Sequence, residues 1–138
     1  GPSSCRNLDL LAAISVPTEG DVMSRVQSIA RFKIHPGRTE EFKRLSASCV
    51  ELAREKDPGT IRYDIFMNDE GTEAVVYEEY ESSEAALKHF ENMGENANAI
   101  FQIVDMEGET WGEPTAEHRK ALEEHGVRIL RPVMRMSE

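Results

Sequence analysis

Apolar and polar residues alternate in three stretches of the chain, a pattern that predicts β-strands because successive side chains of a strand point to opposite faces. The stretches are Val26–Ile34, Thr60–Met67 and Ala74–Tyr80. In the first, one face carries Ser28, Ala30, Phe32 and Ile34. Asn68–Gly71 has the composition of a tight turn. The second and third strands are therefore predicted to form a hairpin.

Two further stretches repeat apolar residues every three or four positions, which predicts amphipathic helices. The first follows Thr39, a residue that favours the N-cap, and ends near the turn sequence Asp57-Pro58-Gly59. The second follows Ser82, whose hydroxyl can accept from the free N–H groups of the first turn. The apolar stripes are Phe42, Leu45, Cys49 and Leu52 in the first helix and Ala86, Leu87, Phe90 and Met93 in the second.

The remainder of the chain predicts a helix–strand–helix insertion before a last strand. Gly94 interrupts the second helix, and the spacing of apolar residues over Ala97–Val104 predicts another short helix. A strand is predicted at Glu107–Gly112, and a helix from Thr115 to a C-cap at Gly126. The last strand is predicted at Val127–Met136, where Pro132 indicates an edge position or a bulge.

This order of elements predicts an α+β fold, a ferredoxin-like antiparallel sheet with helices on one face. The other face of such a sheet would expose more apolar surface than a monomer normally tolerates, so a partner is expected to cover it.

Length, charge and cysteine content limit the class of protein. A chain of 138 residues is sufficient for one domain, predicted at 23–138, preceded by a tag remnant and an N-terminal arm at 1–22. The net charge of −10 argues against nucleic acid or an anionic membrane as a partner. No apolar run is long enough to span a membrane, and two cysteines, Cys5 and Cys49, are too few for a disulfide scaffold. A cytoplasmic protein is expected.

Most catalytic and cofactor motifs are missing from the sequence. The four histidines have no metal-binding spacing, no Gly-x-Ser-x-Gly sequence occurs, and the glycines are spread singly. We therefore expect no metal, flavin or nicotinamide cofactor.

His89 is the best candidate for acid–base chemistry. It lies beside the apolar stripe of its helix, where it is either a solvated residue at the rim or a group that faces a pocket. Glu78 shares a strand face with Tyr80 and either points inward or forms a salt bridge with Arg31 or Arg62. Aromatic strand residues either line a pocket or belong to the core; they are Tyr63, Phe66, Tyr77 and Trp111.

The order of several short motifs resembles the antibiotic biosynthesis monooxygenase (ABM) family. The strand end Glu78–Ser82 leads into a helix whose first turns, Ala85–Phe90, carry a histidine. Ile34–Gly37 before the first helix and Arg128–Pro132 near the end of the chain agree with the family pattern. The resemblance covers residues 25–135.

The resemblance implies a dimeric α+β barrel, in which two sheets pack face to face as a homodimer. It also implies oxidation of a small phenol, quinol or other aromatic by O₂ without a cofactor. Such chemistry needs a dry cavity and a base, a role assigned to His89. Tyr63 or Trp111 would orient the ring, and the expected substrate site also includes Phe66, Glu78 and Tyr80.

Two alternatives limit this prediction. The heme-degrading branch of the superfamily is not expected, because Ala30, Tyr80 and Ala99 stand where that branch has its asparagine, tryptophan and histidine. The other alternative is a dimeric ligand-binding or regulatory module that keeps the fold without the chemistry. An enclosed cavity beside His89 with inward polar groups would favour the enzyme, and a filled one the module.

Overall fold

The computed structural model of the protein describes residues 24–136. The predicted N-terminal arm, residues 1–22, lies outside this range. The elements are β1 Val26–Ile34, α1 Thr39–Lys56, β2 Thr60–Met67, β3 Glu73–Tyr80, α2 Ser83–Phe101, β4 Val104–Trp111, α3 Ala116–Glu124 and β5 Arg128–Leu130.

The five strands form one sheet in the order β2-β3-β1-β4-β5. Strands β1 to β4 pair antiparallel, and β1 lies between β3 and β4. The predicted ferredoxin-like α+β fold is confirmed. The sheet is nevertheless mixed, because β5 pairs parallel to β4. Helix α3 joins these two strands, and a helical connection of this kind returns the chain in the same direction.

The core lies between the sheet and helices α1 and α2. The alternation predicted for β1 places Phe32 and Ile34 in this core, where the Phe32 ring packs edge-on against Phe42 of α1 with centroids 5.7 Å apart. Met93 and Ile100 of α2 complete the cluster. Among the described residues, no helix is long and apolar enough to cross a membrane.

The predicted helix caps differ in outcome. Ser82 caps α2 as predicted, since its side chain accepts from the Ala85 N–H at 3.1 Å. Thr39 does not cap α1; it is the first helical residue, and its hydroxyl donates to the Gly71 carbonyl at 2.7 Å. This bond joins the start of α1 to the β2–β3 turn.

After Gly94 the structure agrees with the predicted interruption and second helical segment, but the bounds of the following strands differ from the prediction. Gly94 has a φ of +35°, which produces a kink, but α2 resumes and continues to Phe101. Strand β4 begins at Val104, three residues before the predicted start at Glu107, and Val104 is buried in the core. Strand β5 ends at Leu130, well before the predicted Met136. Pro132 cannot donate to a sheet, which accounts for the early end.

The sheet face opposite the helices, here called the helix-free face, carries Ile29, Phe66, Val75, Tyr77 and Trp111 by strand register. Phe66 is 57% exposed. Tyr77 accepts a hydrogen bond from Gln27 at 2.8 Å, and the Arg62 guanidinium lies over its ring. This face is the surface that the sequence analysis expects a second copy to cover.

We predict that the chain is a dimer in solution and that Phe66→Asp shifts it toward monomer. The substitution would place an unpaired carboxylate inside the interface, where desolvation is unfavourable. Sedimentation velocity at micromolar concentration measures the effect. Ala47→Asp, which adds the same charge at an exposed position of α1, is the control. A compact monomer for the unaltered chain would contradict the prediction.

Candidate active site

A cavity of about 400 Å³ lies between the helices and the sheet. Its floor consists of small residues on the central strands, where Ala30 is opposite Gly108 and Ser28 is opposite Thr110. Larger side chains at these positions would occupy the space and leave no cavity. The kink at Gly94 also borders the cavity. Because Gly94 has a positive φ, a side chain there would be strained.

His89 projects from α2 into this cavity and is only 2% exposed. Its Nδ1 lies 2.8 Å from Oδ2 of Asp57, which is also buried. An ionised carboxylate can only accept, so Nδ1 carries the hydrogen and donates it. In the neutral imidazole, Nε2 is then the free base. The Asp57 pairing thus selects the tautomer that can accept a proton.

Asp57 is itself held by two neighbouring groups. Asn92, one turn after His89 on α2, donates to Asp57 Oδ1 and to the Lys56 carbonyl. Gly59 allows the turn after α1 to approach α2, since a Cβ at this position would lie 2.5 Å from Ala85 Cβ. The turn and the helix are therefore packed closely enough for Asp57 to reach His89.

Glu78 of β3 points into the cavity, and its Oε1 lies 3.6 Å from His89 Nε2. The alternative of a cross-strand salt bridge does not occur, because Arg31 and Arg62 lie on the opposite face of the sheet by strand register, where Arg62 pairs with Asp64 at 2.7 Å. Of the two alternatives for Glu78, the structure has the inward one.

Two tyrosines pack around the imidazole. The Tyr63 ring meets His89 edge-on at a centroid distance of 5.0 Å, and the Tyr80 ring lies at 5.4 Å. Tyr80 is completely buried, whereas Tyr63 lines the cavity. Burial raises the pKa of Tyr63 far above its ordinary value, and the nearby Glu78 adds to the effect. Tyr63 therefore stays protonated and keeps a hydrogen to donate.

The pKa of His89 reflects two opposing effects. Desolvation is the largest single cause and lowers the pKa, but hydrogen bonding and charge from Glu78 and then Asp57 outweigh it. The result is a pKa raised from the ordinary value of 6.5. The two carboxylates stabilise the imidazolium and so make His89 a stronger base.

Neutral polar groups occupy other parts of the cavity wall. The Ser28 and Thr110 hydroxyls are 2.8 Å apart on the floor. The Ser46 hydroxyl is buried and has no hydrogen-bond partner among the described residues. Cys49 also lines the cavity and is buried, as the sequence predicted.

The structure brings together only part of the predicted site. His89, Tyr63 and Glu78 line the cavity, and Tyr80 lies behind His89. Phe66 and Trp111 lie on the helix-free face, where Trp111 donates to Glu109 at 2.8 Å. Strand alternation explains the outcome for Phe66, because Tyr63 and Phe66 are three positions apart and so face opposite sides. Tyr77 lies on the helix-free face for the same reason.

The sequence analysis also left open a solvated rim position for His89, and the structure contradicts it. The side chain is buried. The partners that make this burial possible, Asp57 and Asn92, were missed. Asp57 was interpreted as turn chemistry, since an Asp before Pro-Gly is normally exposed. The sequence does contain one indication that Asn92 belongs to the site. His89 and Asn92 are three residues apart, a spacing that places them on one helix face.

Within the described residues, no group of three or more His, Cys, Asp or Glu side chains is arranged to hold a metal ion. The chemistry available at the cavity is that of a buried Asp–His pair, a second carboxylate and a protonated phenol.

Comparison with known families identifies the class of protein that has this fold and site. Residues 26–98, more than half of the chain, match the family model for antibiotic biosynthesis monooxygenase. The chain therefore belongs to the antibiotic biosynthesis monooxygenase family. None of the curated proteins compared with it matches significantly.

Solved structures agree on the fold. The crystal structure of MupZ from Pseudomonas fluorescens superposes with a TM-score of 0.72 at 22% identity, covering 83% of this chain and 95% of that chain. SnoaB, a cofactor-independent oxygenase from Streptomyces nogalater, superposes with a TM-score of 0.56 at 20% identity, covering 63% of this chain and 90% of that chain. Rv0793 from Mycobacterium tuberculosis superposes with a TM-score of 0.54 at 23% identity, covering 62% of this chain and 92% of that chain. At these identities the likeness establishes the fold alone.

A second histidine, His118 of α3, is buried and has no charged partner within residues 24–136. Its Nδ1 lies 3.0 Å from the Ser83 hydroxyl, and its Nε2 has no hydrogen-bond partner among the described residues. Ser83 also accepts from the Thr115 N–H at 3.0 Å, so its own hydrogen is free for Nδ1. Desolvation lowers the pKa of His118 to about 4.

We predict that the NMR titration of His89 gives a pKa above 6.5 and that Glu78→Gln lowers it. The variant removes a negative charge next to Nε2 while keeping the size of the side chain. His35→Gln, at an exposed site paired with Asp105, is the control and should leave the His89 titration unchanged. A His89 pKa that does not respond to Glu78→Gln would contradict the assigned geometry.

We predict that His118 makes the fold sensitive to acid. A folded-state pKa of about 4 against about 6.5 in the unfolded chain favours unfolding as protons bind. The contribution is fully present above pH 6.5, and roughly 3 kcal/mol is lost by pH 4. In denaturant unfolding between pH 6.5 and pH 4, the free energy of unfolding of His118→Gln should fall less steeply than that of the unaltered protein. The matched control is His125→Gln, an exposed histidine at the end of the same helix. Equal slopes in all three proteins would contradict this prediction.

Proposed function

We propose that the protein is a cofactor-free monooxygenase that oxidises a small phenol, quinol or related aromatic with O₂. The observation that carries the proposal is the buried Asp57–His89 pair, whose free Nε2 faces an apolar cavity. Membership of the ABM family and the similarity to SnoaB support the same reaction class.

In the proposed reaction, His89 Nε2 accepts the phenolic proton. The resulting phenolate is electron-rich enough to reduce O₂, and the substrate itself supplies all four electrons that the reduction of O₂ requires. A C–O bond forms between the ring carbon and O₂, and the O–O bond then breaks. One oxygen atom stays on the ring as a quinone carbonyl and the other leaves as water. For a simple phenol, phenol and O₂ give quinone and water, so no external reductant is needed.

The surrounding groups have separate roles in this proposal. Asp57 fixes the tautomer and compensates the charge on the imidazolium. Glu78 lies near the Nε2–H that forms after proton transfer and stabilises it. Tyr63 retains its hydrogen and can donate it to the phenolate oxygen. The apolar helix and strand residues around the cavity exclude water from the reactive anion.

The unfilled cavity also favours this proposal over a non-catalytic module of the same fold. In a module without chemistry, we would expect side chains to fill the space beside His89. The space is instead open, and inward polar groups border it. This arrangement supports the enzyme.

We predict that His89→Ala lowers kcat by about 10²-fold for any quinol or phenol that the protein oxidises, the lower range for loss of a general base. His89→Gln should be equally impaired, because glutamine keeps a donor and an acceptor but cannot take the proton. Asp57→Asn should also lower kcat, since an amide does not stabilise the imidazolium. Oxygen consumption against a panel of quinols and phenols provides the measurement.

The pH dependence gives a second criterion for the same reaction. Because His89 must be neutral to act as a base, kcat should rise with pH through the raised pKa, above 6.5. Glu78→Gln should move this rise to lower pH. The control, His35→Gln, should behave as the unaltered protein. Wild-type rates in both His89 variants would overturn the proposed role of this residue.

A further inference from the structure

We propose that the cavity accepts uncharged aromatic molecules and rejects those that carry a carboxylate or phosphate. This inference names the substrate class of the same site, so as a statement about substrate it rests on the proposed function. As a statement about binding it can be tested without turnover.

The first argument is the sign of the charges around the cavity. The Glu78 carboxylate lines it, and the buried Asp57 carboxylate lies directly behind His89. The described residues that line the cavity include no lysine or arginine. An anionic ligand would therefore lie close to the Glu78 and Asp57 carboxylates and meet no permanent cation among these residues.

The second argument is that His89, the buried histidine of the cavity, already has two carboxylate partners. When protonated, His89 is compensated by Asp57 at 2.8 Å and by Glu78 at 3.6 Å. The proton it receives can balance one phenolate, which forms only during the reaction. A fixed carboxylate on the substrate would add a second negative charge without a counter-charge. His125, the other histidine of the lining, is exposed, and its Nδ1 lies 2.9 Å from the Ala121 carbonyl.

The third argument is the nature of the remaining polar groups. They are hydroxyls and the Asn98 amide, all of them neutral groups that can donate to or accept from a neutral hydroxyl or carbonyl oxygen. Ser28 and Thr110 pair on the floor, and Ser46 is buried without a partner among the described residues. A neutral oxygen of the ligand would satisfy Ser46, and hydroxyls alone do not compensate a buried carboxylate.

The apolar walls and the size of the cavity fit the same class of ligand. Phe90 and Phe101 are partly exposed residues of α2 that line the cavity. A volume of about 400 Å³ is within the range of sites for small organic ligands, and it is sufficient for a bicyclic aromatic.

The test compares 1-hydroxy-2-naphthoate with its methyl ester. The two share the ring and the hydroxyl, and the ester is the larger, so size alone would favour the acid. Binding is measured by calorimetry without O₂ at pH 7.5, where the acid is ionised. We expect the ester to bind and the acid to bind at least about tenfold more weakly, since like charges at close range in a poorly solvated site repel strongly.

Three variants test whether the preference for the ester over the acid arises in the cavity. Glu78→Gln should reduce the preference for the ester, because it removes one of the charges that face the ligand. Glu40→Gln, an exposed position on α1, should leave it unchanged. Ala30→Phe should abolish ester binding by filling the floor of the cavity, which shows that the ligand occupies this space.

The outcomes separate the inference from the proposed function. Selective ester binding without O₂ consumption would support the charge selectivity and count against the monooxygenase. Equal binding of acid and ester would overturn the inference, even if both were oxidised. Failure of the ester to bind would also overturn it, because the cavity would then not accept a neutral aromatic.

Discussion

The hydrogen bond between Asp57 and His89 is the interaction on which the site depends. It links the turn after α1 to the middle of α2, two segments separated by 32 residues in sequence. A carboxylate and an imidazole can be buried together only when each satisfies the other, since either group alone would lose hydration without compensation. Asn92 and the close packing at Gly59 hold Asp57 in position. The same contact therefore stabilises the junction of two elements and fixes the tautomer of the base.

The cavity exists because the residues in the centre of the sheet are small. Ala30, Gly108, Ser28 and Thr110 lie where a fully packed domain would have larger apolar side chains. Omitting these side chains gives up dispersion contacts and burial, at a stability cost that rises with the volume left empty. The residues that form the cluster nearby, including Phe32 and Phe42, are large and buried. The cavity thus lies beside this cluster, where the small strand residues leave space and His89 projects.

The sequence was sufficient to predict most of the fold but only part of the site. Strands β1 to β3 and the N-caps of α2 and α3, Ser82 and Thr115, follow from local periodicity and side-chain chemistry, which a single chain displays directly. Parallel pairing of β5 depends on where α3 returns the chain, and this is a tertiary property. The role of Asp57 was likewise hidden, because its burial results from α2 packing over a turn that normally lies in solvent. The exclusion of Phe66 from the cavity could have been derived, since strand alternation alone separates it from Tyr63.

The environment of His89 balances the strength of a base against its availability. Two nearby carboxylates raise its pKa, which favours transfer of a proton from a weak acid such as a phenol but reduces the neutral fraction at a given pH. Burial opposes this effect and keeps the increase limited. His118 illustrates the other extreme, because burial without a carboxylate lowers its pKa to about 4 and leaves it neutral near physiological pH. The difference between the two histidines comes from their partners rather than from burial, which they share. An imidazole beside Asp57 and Glu78 is suited to accept a proton, whereas the one beside Ser83 is suited only to pack.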